Sequence, residues 1–161
     1  MRIIHLLLPV IALVLSGCNK DKIDAEDLKV PRLMVEARGV QYGALGGNVV
    51  KLPKGGTRIA IQKEPMVSEF DIVNVELVKV DLGLAILLQL SDRGARALYR
   101  GTVTNMGGRI VFSVNGNALG ARRIDTAITD GNYYTFVEID DEELGQLVLD
   151  LKKSIIALQK L

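Results

Sequence analysis

The stretch LAILLQLSDRGARALYRGTVTNMGGRIVFSVNGN, residues 84–117, carries the local signals that decide the fold. Its first seven residues, 84–90, are almost continuously apolar, which is typical of a central β-strand. Ser91 is a favourable N-cap, so a helix is predicted from there to about Thr104. Three apolar residues of this helix are expected to face a core, namely Ala95, Leu98 and Val103.

The second half of this stretch predicts a return to strand structure. Gly107-Gly108 ends the helix, and residues 109–114 form a further strand-like run. Asn115-Gly116 is the strongest hairpin signal in the sequence, because both residues tolerate positive φ. A partner strand is therefore expected somewhere between Ala118 and Ile128.

Other strands are predicted on the N-terminal side of this stretch. Residues 71–81 alternate with a period of two and are expected to form a hairpin with the 84–90 run. Earlier strands are predicted at 32–37 and 57–62. The glycine-rich region between these two lacks the spacing of a phosphate-binding loop, so turns between short strands are expected there.

The C-terminal part predicts one more strand and one more helix. A turn at 130–132 precedes a strand predicted at 133–139. Asp140 is expected to cap the last helix, and the acidic run 140–143 suits the positive end of the helix dipole better than a calcium site. Apolar residues at helical spacing then predict a buried face: Leu144, Leu147, Val148, Leu151, Ile155 and Leu158. Together the elements predict an α+β fold, with a mostly antiparallel sheet and two helices packed on one face.

Part of this pattern resembles a known protein. Residues 84–150 resemble the first periplasmic head domain of SecD, a subunit of the protein-export machinery. The similarity is carried by residues 91–95 (SDRGA) at the helix start, residues 104–109 (TNMGGR) at its end, and the strand and turn at 110–117. Gly120-Ala121 stands where that family usually has a proline. The resemblance covers under half of the chain and implies an α+β head module with a link to protein export.

The N-terminus has the organisation of a signal peptide. Arg2 supplies the positive start, and residues 6–15 form an apolar core interrupted only by Pro9. The 13 residues from 3 to 15 are too short to span a hydrocarbon core of roughly 30 Å. The sequence therefore predicts a cleaved signal at residues 1–17 rather than a transmembrane helix.

The end of this signal resembles the lipobox of bacterial lipoproteins. Leu15-Ser16-Gly17-Cys18 matches that motif at all four positions. The resemblance implies transfer of diacylglycerol to the Cys18 thiol, cleavage before Cys18 and acylation of the new amino group, so that lipid anchors the mature chain to a membrane. In such lipoproteins an Asp directly after the cysteine favours retention in the inner membrane. This chain has Asn19 at that position instead, so the resemblance favours the outer membrane. An ordinary secreted protein with an incidental cysteine is the alternative.

After the signal, the sequence predicts a tether and one domain. Residues 18–31 are charged and poor in apolar side chains, which is typical of a flexible tether. Residues 32–161 are long enough for a single domain with its own core. Loss of Arg2 with the signal reduces the 20 basic residues to 19, which balances the 19 acidic ones. This neutral balance, without a basic run, argues against nucleic acid as a partner.

The composition also restricts the chemistry. His5 is the only histidine and Cys18 the only cysteine, so the mature domain lacks a His-assisted nucleophile and the usual zinc ligands. We therefore expect no catalytic residues, no metal site and no cofactor. A Ser/Lys pair or an all-carboxylate site is the remaining catalytic alternative.

Four residues form the predicted contact surface. Arg122 and Arg123 are an adjacent basic pair, for which a solvated strand face is the simpler explanation. Tyr134 and Phe136 lie on the same parity of a predicted strand, opposite a face that is expected to be buried. The sequence thus predicts a membrane-anchored, non-enzymatic interaction module that contacts an envelope protein. A periplasmic small-ligand binder or a small hydrolase is the alternative.

Overall fold

The structure, a computed structural model, describes residues 27–38 and 48–160. Two α-helices and three antiparallel sheets occupy these residues, so the α+β fold predicted from the sequence is confirmed. The strands are β1 (Pro31–Val35), β2 (Asn48–Lys51), β3 (Arg58–Ile61), β4 (Ile72–Val80), β5 (Gly83–Leu90), β6 (Arg109–Val114), β7 (Asn117–Arg123) and β8 (Asn132–Thr135). The helices are α1 (Asp92–Thr104) and α2 (Asp141–Leu158), and a 3-10 turn at Glu69–Asp71 precedes β4.

Two three-stranded sheets form the frame of the domain. The first has the order β1-β6-β7, and its β6–β7 hairpin turns at Asn115-Gly116 as the sequence predicts. Asn115 has a φ of 51° and Gly116 a φ of 81°, the left-handed conformation that this turn requires. The second sheet has the order β4-β5-β8, so the apolar run 84–90 is its central strand, as expected.

The two sheets meet where the chain leaves β8. The amide of Glu138 donates to the carbonyl oxygen of Leu119 in β7 at 2.7 Å. A Cβ atom on Gly120 would collide with the carbonyl oxygen of Phe136. The strand predicted at 133–139 therefore ends early, because the chain turns across to β7 after Thr135.

One hydrophobic core lies under both sheets and both helices. It combines residues from all of these elements, among them Leu33, Val75, Ile86, Leu88, Leu98, Ile110, Phe112, Tyr133, Leu144, Val148, Leu151 and Ile155. The hydroxyl of Tyr133 in β8 donates to the carbonyl oxygen of Ile110 in β6 at 3.4 Å, which ties the sheets together inside this core. The helices thus cover a face that the two sheets share.

A smaller core lies on the other face of the first sheet. The β2–β3 hairpin places Ile59, Ile61 and Leu52 against Val111 of β6 and Ala118 of β7. The outer edge of β1 is also covered, since the amide of Leu33 donates to the carbonyl oxygen of Val67. The first sheet is therefore packed on both faces and along the outer edge of β1.

Helix α1 begins and ends where the sequence predicts, but one of its predicted core residues is wrong. The Ser91 side chain accepts a hydrogen bond from the amide of Gly94, as an N-cap does. Leu98 is fully buried and Ala95 partly buried, whereas Val103 is 48% exposed. Thr102 is buried instead, because its hydroxyl donates to the carbonyl oxygen of Leu98 and accepts from the amide of Ile128.

Helix α2 buries the predicted apolar face, but its N-terminus is held differently from the expectation. Asp140 occupies the N-cap position without a side-chain capping hydrogen bond. Its carboxylate instead accepts from the Lys54 ammonium at 2.6 Å, while Glu138 accepts from the amides of Lys54 and Gly55 at 2.8 and 2.7 Å. These contacts fasten the β2–β3 turn to the start of α2.

The segment before β1 is in contact with the domain. The amide of Lys29 donates to the Ser154 hydroxyl in α2, and the amide of Val30 donates to the side chain of Asn115. Residues 28–30 fall within the stretch predicted as tether, and β1 begins at Pro31, one residue before the predicted domain start. The predicted signal peptide, the lipobox and the glycine-rich turns at 39–47 lie outside the described residues. Across residues 27–38 and 48–160, no helix is long and apolar enough to cross a membrane.

Candidate binding groove

An open groove of about 640 Å³ lies on the face of the second sheet that the helices do not cover. Ile86 and Leu88 point into the main core, so the alternate residue Ala85 faces the other side of β5. Ala85 is 1% exposed and forms part of the groove floor. The β4–β5 turn forms one wall and the C-terminal end of β7 forms the other: the lining residues are Val80, Asp81, Leu82, Ala85, Ala121, Arg122, Arg123, Tyr134, Thr135 and Phe136.

The four residues of the predicted contact surface all line this groove. Arg122 and Arg123 end β7, Tyr134 lies in β8, and Phe136 follows that strand. Tyr134 pairs with Leu87 in the β5–β8 register, on the opposite parity to the buried Tyr133. The structure therefore places together two pairs of residues that are 11 or more positions apart in the sequence.

Several apolar side chains of the groove are open to solvent. The side chains of Tyr134 and Phe136 are 39% and 45% exposed, and Leu82 at the β4–β5 turn is 85% exposed. Exposed apolar side chains that lie together, rather than singly, are a feature of contact surfaces. Leu82 is not among the contact residues predicted from sequence, although its position between Asp81 and Gly83, in a predicted turn, is a signal for exposure.

The charges of the groove lie at its two ends. The Arg122 guanidinium donates to the main-chain carbonyl oxygen of Tyr134 at 3.2 Å. Arg123 pairs with Asp125 at 3.2 Å, and both of these side chains are more than two-thirds exposed. Asp81 lies at the turn on the opposite wall. The β7 end is thus cationic and the β4–β5 turn carries the negative charge.

Tyr134 carries the exposed hydroxyl of the groove. Thr135 also borders the groove, but its side chain is buried and its hydroxyl donates to the carbonyl oxygen of Phe136 at 3.1 Å. Asp81 is the carboxylate among the lining residues. In the described part of the chain, no group of three or more metal-ligating side chains is found. The groove offers apolar contact, guanidinium groups and main-chain hydrogen bonds.

Three other arginines form ion pairs with carboxylates outside the groove. Arg32 contacts Glu69 through two hydrogen bonds of 2.7 and 2.8 Å, and Arg109 contacts Glu36 through two of 2.6 and 3.0 Å. Each arginine lowers the pKa of its glutamate below the ordinary value by hydrogen bonding to the charged form. These pairs join β1 to its neighbours, so their role is structural.

A third pair holds the start of α1. Arg93 donates to the Asp71 carboxylate at 2.6 Å, and the hydroxyls of Ser68 and Ser91 donate to the same carboxylate. Desolvation acts against ionisation of Asp71, but these hydrogen bonds outweigh it and leave the pKa lowered. Arg122 differs from all three arginines, since no carboxylate of the described residues lies within 4.0 Å of its guanidinium.

The described residues form an α+β fold with an open groove, and this architecture has counterparts among solved structures. A structure described as SecDF in a super-membrane-facing form matches with a TM-score of 0.59 and 19% identity, over 77% of this chain and 18% of that chain. A second, from a study of SecDF as a membrane component that enhances protein export, matches with a TM-score of 0.58 and 19% identity, over 78% of this chain and 62% of that chain.

These matches confirm the resemblance to SecD at the level of the fold. The similarity extends over more of the chain than residues 84–150, from which the resemblance was first inferred. This chain spans about a fifth of the first SecDF chain and less than two thirds of the second. No protein-family model and no curated protein sequence matches this chain.

Proposed function

We propose that this protein is a lipid-anchored component of the bacterial cell envelope, and that its α+β domain is a non-catalytic interaction module linked to protein export. The observation that carries the proposal is the combination of a SecDF-like fold with the lipobox-like sequence Leu15–Cys18. In this arrangement the lipid replaces a transmembrane segment as the attachment to the membrane. The domain faces the periplasm, and Asn19 favours the outer membrane.

The lipid anchor is supported by the chemistry of Cys18. It is the only cysteine of the chain and follows two small residues at the end of the apolar signal. Burial of an acyl chain contributes about 0.8 kcal/mol per methylene group, and stable attachment needs more than one chain. Diacylglycerol on the thiol together with an acyl group on the new amino terminus meets that requirement.

The interaction role is supported by the groove. It combines exposed apolar side chains with guanidinium groups. Aromatic residues and arginines are the side chains most often found at the energetic centres of protein interfaces. The partner is therefore proposed to be an envelope protein.

A crosslinked pull-down from native membranes tests this proposal. The bait is the full chain, either wild type or Cys18→Ala, with Lys20→Ala as a matched control beside an intact lipobox. We expect one envelope complex to be enriched with wild type and Lys20→Ala and lost with Cys18→Ala. Incorporation of a clickable palmitate analogue should follow the same pattern. Equal recovery of the same complex with Cys18→Ala contradicts the requirement for the anchor.

The size of the groove favours a second candidate function. A volume of about 640 Å³ lies within the range of about 300–1,000 Å³ for small-molecule pockets. The alternative is therefore a periplasmic binder of a small ligand, or a small hydrolase. A metabolite extract from the periplasm that raises the melting temperature of the purified protein, and loses this effect with Phe136→Ala, favours that alternative.

A further inference from the structure

We propose that the groove binds an extended segment of a partner polypeptide in which apolar residues alternate with acidic ones. The interaction role that this segment would serve rests on the proposed function, whereas the composition of the groove does not.

The main chain on both walls favours a polypeptide as the occupant. Pairing of β5 with β8 ends at Ile86, so residues 83–85 of β5 are hydrogen-bonded only to β4. On the other wall, residues 121–123 of β7 pair only with β6. Each wall therefore presents a strand edge to the groove. An extended segment can add to such an edge, because it supplies the matching N–H and C=O groups and places alternate side chains on one face.

The side chains of the groove specify an apolar and acidic segment. Leu82, Tyr134 and Phe136 supply exposed apolar surface over the buried floor at Ala85. Arg122 has one main-chain carbonyl as its hydrogen-bond partner and no carboxylate among the described residues. A guanidinium at the end of an apolar groove is complementary to a carboxylate, which it contacts through two parallel hydrogen bonds.

The lipid anchor makes a membrane surface the competing occupant of the groove. Residues 28–30 are hydrogen-bonded beside the β6–β7 turn, where Asn115 contacts both Leu28 and Val30. Strand β7 runs away from this turn, from Asn117 to Arg123, which places its cationic end about 20 Å farther along the strand. Cys18 lies nine positions before Asp27, a reach of at most about 30 Å, which covers that distance. The test therefore includes a membrane surface.

The test uses the full-length protein in nanodiscs of zwitterionic lipid and two fluorescein-labelled heptapeptides. The first peptide alternates glutamate with valine and leucine, and the second has lysine at each glutamate position. Fluorescence anisotropy is expected to show binding of the acidic peptide at least tenfold tighter than that of the lysine peptide. Arg122→Gln should weaken the acidic peptide about five- to tenfold. Arg100→Gln, on an exposed residue of α1, should leave the affinity unchanged.

Three results overturn the inference: equal binding of the two peptides, binding of neither, or an affinity that Arg122→Gln does not change. A fourth result concerns the Cys18→Ala protein and phosphatidylglycerol vesicles. If the protein cosediments with the vesicles, and the additional substitution Arg122→Gln abolishes this, then a membrane surface is the occupant of the groove. The intact mass of the purified protein reports lipidation separately. An unlipidated protein that binds the acidic peptide contradicts the anchor but supports the groove, whereas a lipidated protein that binds neither peptide contradicts only the groove.

Discussion

The two three-stranded sheets share one core but differ on their other faces. The β1-β6-β7 sheet is covered there by the β2–β3 hairpin, through Ile59 and Ile61, and its outer edge is covered by the segment at Val67. The β4-β5-β8 sheet has no such cover within the described residues, and its open face carries Tyr134 and Phe136. Packing alone does not account for the second arrangement.

The difference separates structural residues from candidate binding residues. Inside the covered sheet Arg32 and Arg109 form ion pairs with carboxylates. Arg122, at the end of β7 where this sheet borders the groove, contacts a main-chain carbonyl and has no carboxylate partner among the described residues. A substitution in the covered sheet should therefore reduce stability, whereas one in the groove should reduce binding.

The largest effect is expected where the two sheets join. Gly120→Ala places a Cβ atom against the carbonyl oxygen of Phe136, so that either β7 or the chain after β8 must move. We expect the free energy of unfolding to fall by about 4 kcal/mol, because the clash is with main-chain atoms. Urea denaturation followed by circular dichroism measures this change.

Gly145→Ala is the matched control for this prediction. A Cβ atom on Gly145 in α2 has no neighbour within 4 Å. The same substitution should therefore stabilise the protein, by about 0.5–1 kcal/mol, since alanine favours the helix. A Gly120→Ala protein as stable as wild type would show that the two sheets are not joined at this point.

A second substitution tests the cover of the first sheet. Ile59 is 1% exposed in the core under the β2–β3 hairpin. Ile59→Ala should lower the free energy of unfolding by about 3 kcal/mol, through lost burial and the remaining cavity. Val49→Ala, in β2 of the same hairpin, removes a side chain that is 49% exposed and should cost less than about 1 kcal/mol. Equal effects of the two substitutions would contradict the packing of this hairpin on the sheet.

The elements that can be predicted from sequence are those with strong local signals. Helix α2 follows from the spacing of its apolar residues, and the β6–β7 turn follows from Asn115-Gly116. The buried face of α1 was misjudged at Val103, because Thr102 satisfies its hydroxyl within the helix and with Ile128. Local pattern shows which residues are apolar but not which polar residue is satisfied inside the core.

The candidate site was predicted in part. Tyr134 and Phe136 could be selected because they share one parity of a strand, and Arg122 and Arg123 because they are adjacent. Their assembly with Leu82 into one groove depends on the β4–β5 turn lying opposite the end of β7. That is a long-range arrangement without a local signal. The pairing of Asp140 with Lys54, 86 positions away, was missed for the same reason.

Acid should weaken the covered sheet. The arginine partners of Glu36 and Glu69 lower the pKa values of these two carboxylates. At pH values near their ordinary pKa, the carboxylates are therefore still charged in the folded state, whereas the same groups in the unfolded chain already bind protons. Their contribution to stability is present above the ordinary pKa of about 4.3 and is lost as the pH falls below it. Urea midpoints measured from pH 7 to pH 3 should therefore decrease below about pH 4.5.

The variant Glu36→Gln separates this contribution from general acid effects. Replacement removes the charged partner of Arg109, so the decrease in stability between pH 5 and pH 3 should be smaller than in wild type. At pH 7 the loss should be about 1 kcal/mol or less, because the pair is partly exposed and screened. The matched control is Glu64→Gln, on an exposed residue without an ion pair in the described part of the chain. An unchanged pH dependence in Glu36→Gln contradicts the assigned role of the pair.

The smallest effect on stability is expected at the open face. Tyr134→Ala and Phe136→Ala each remove a partly exposed ring from the groove, and each should cost under about 1 kcal/mol in urea denaturation. The same substitutions should weaken the acidic heptapeptide at least fivefold, because the rings supply the apolar contact area. A loss of stability close to that of Ile59→Ala would show that the rings belong to the core, and the two sheets would then not differ in the way described. Stability retained together with affinity lost supports the view that the second sheet is left uncovered for a partner.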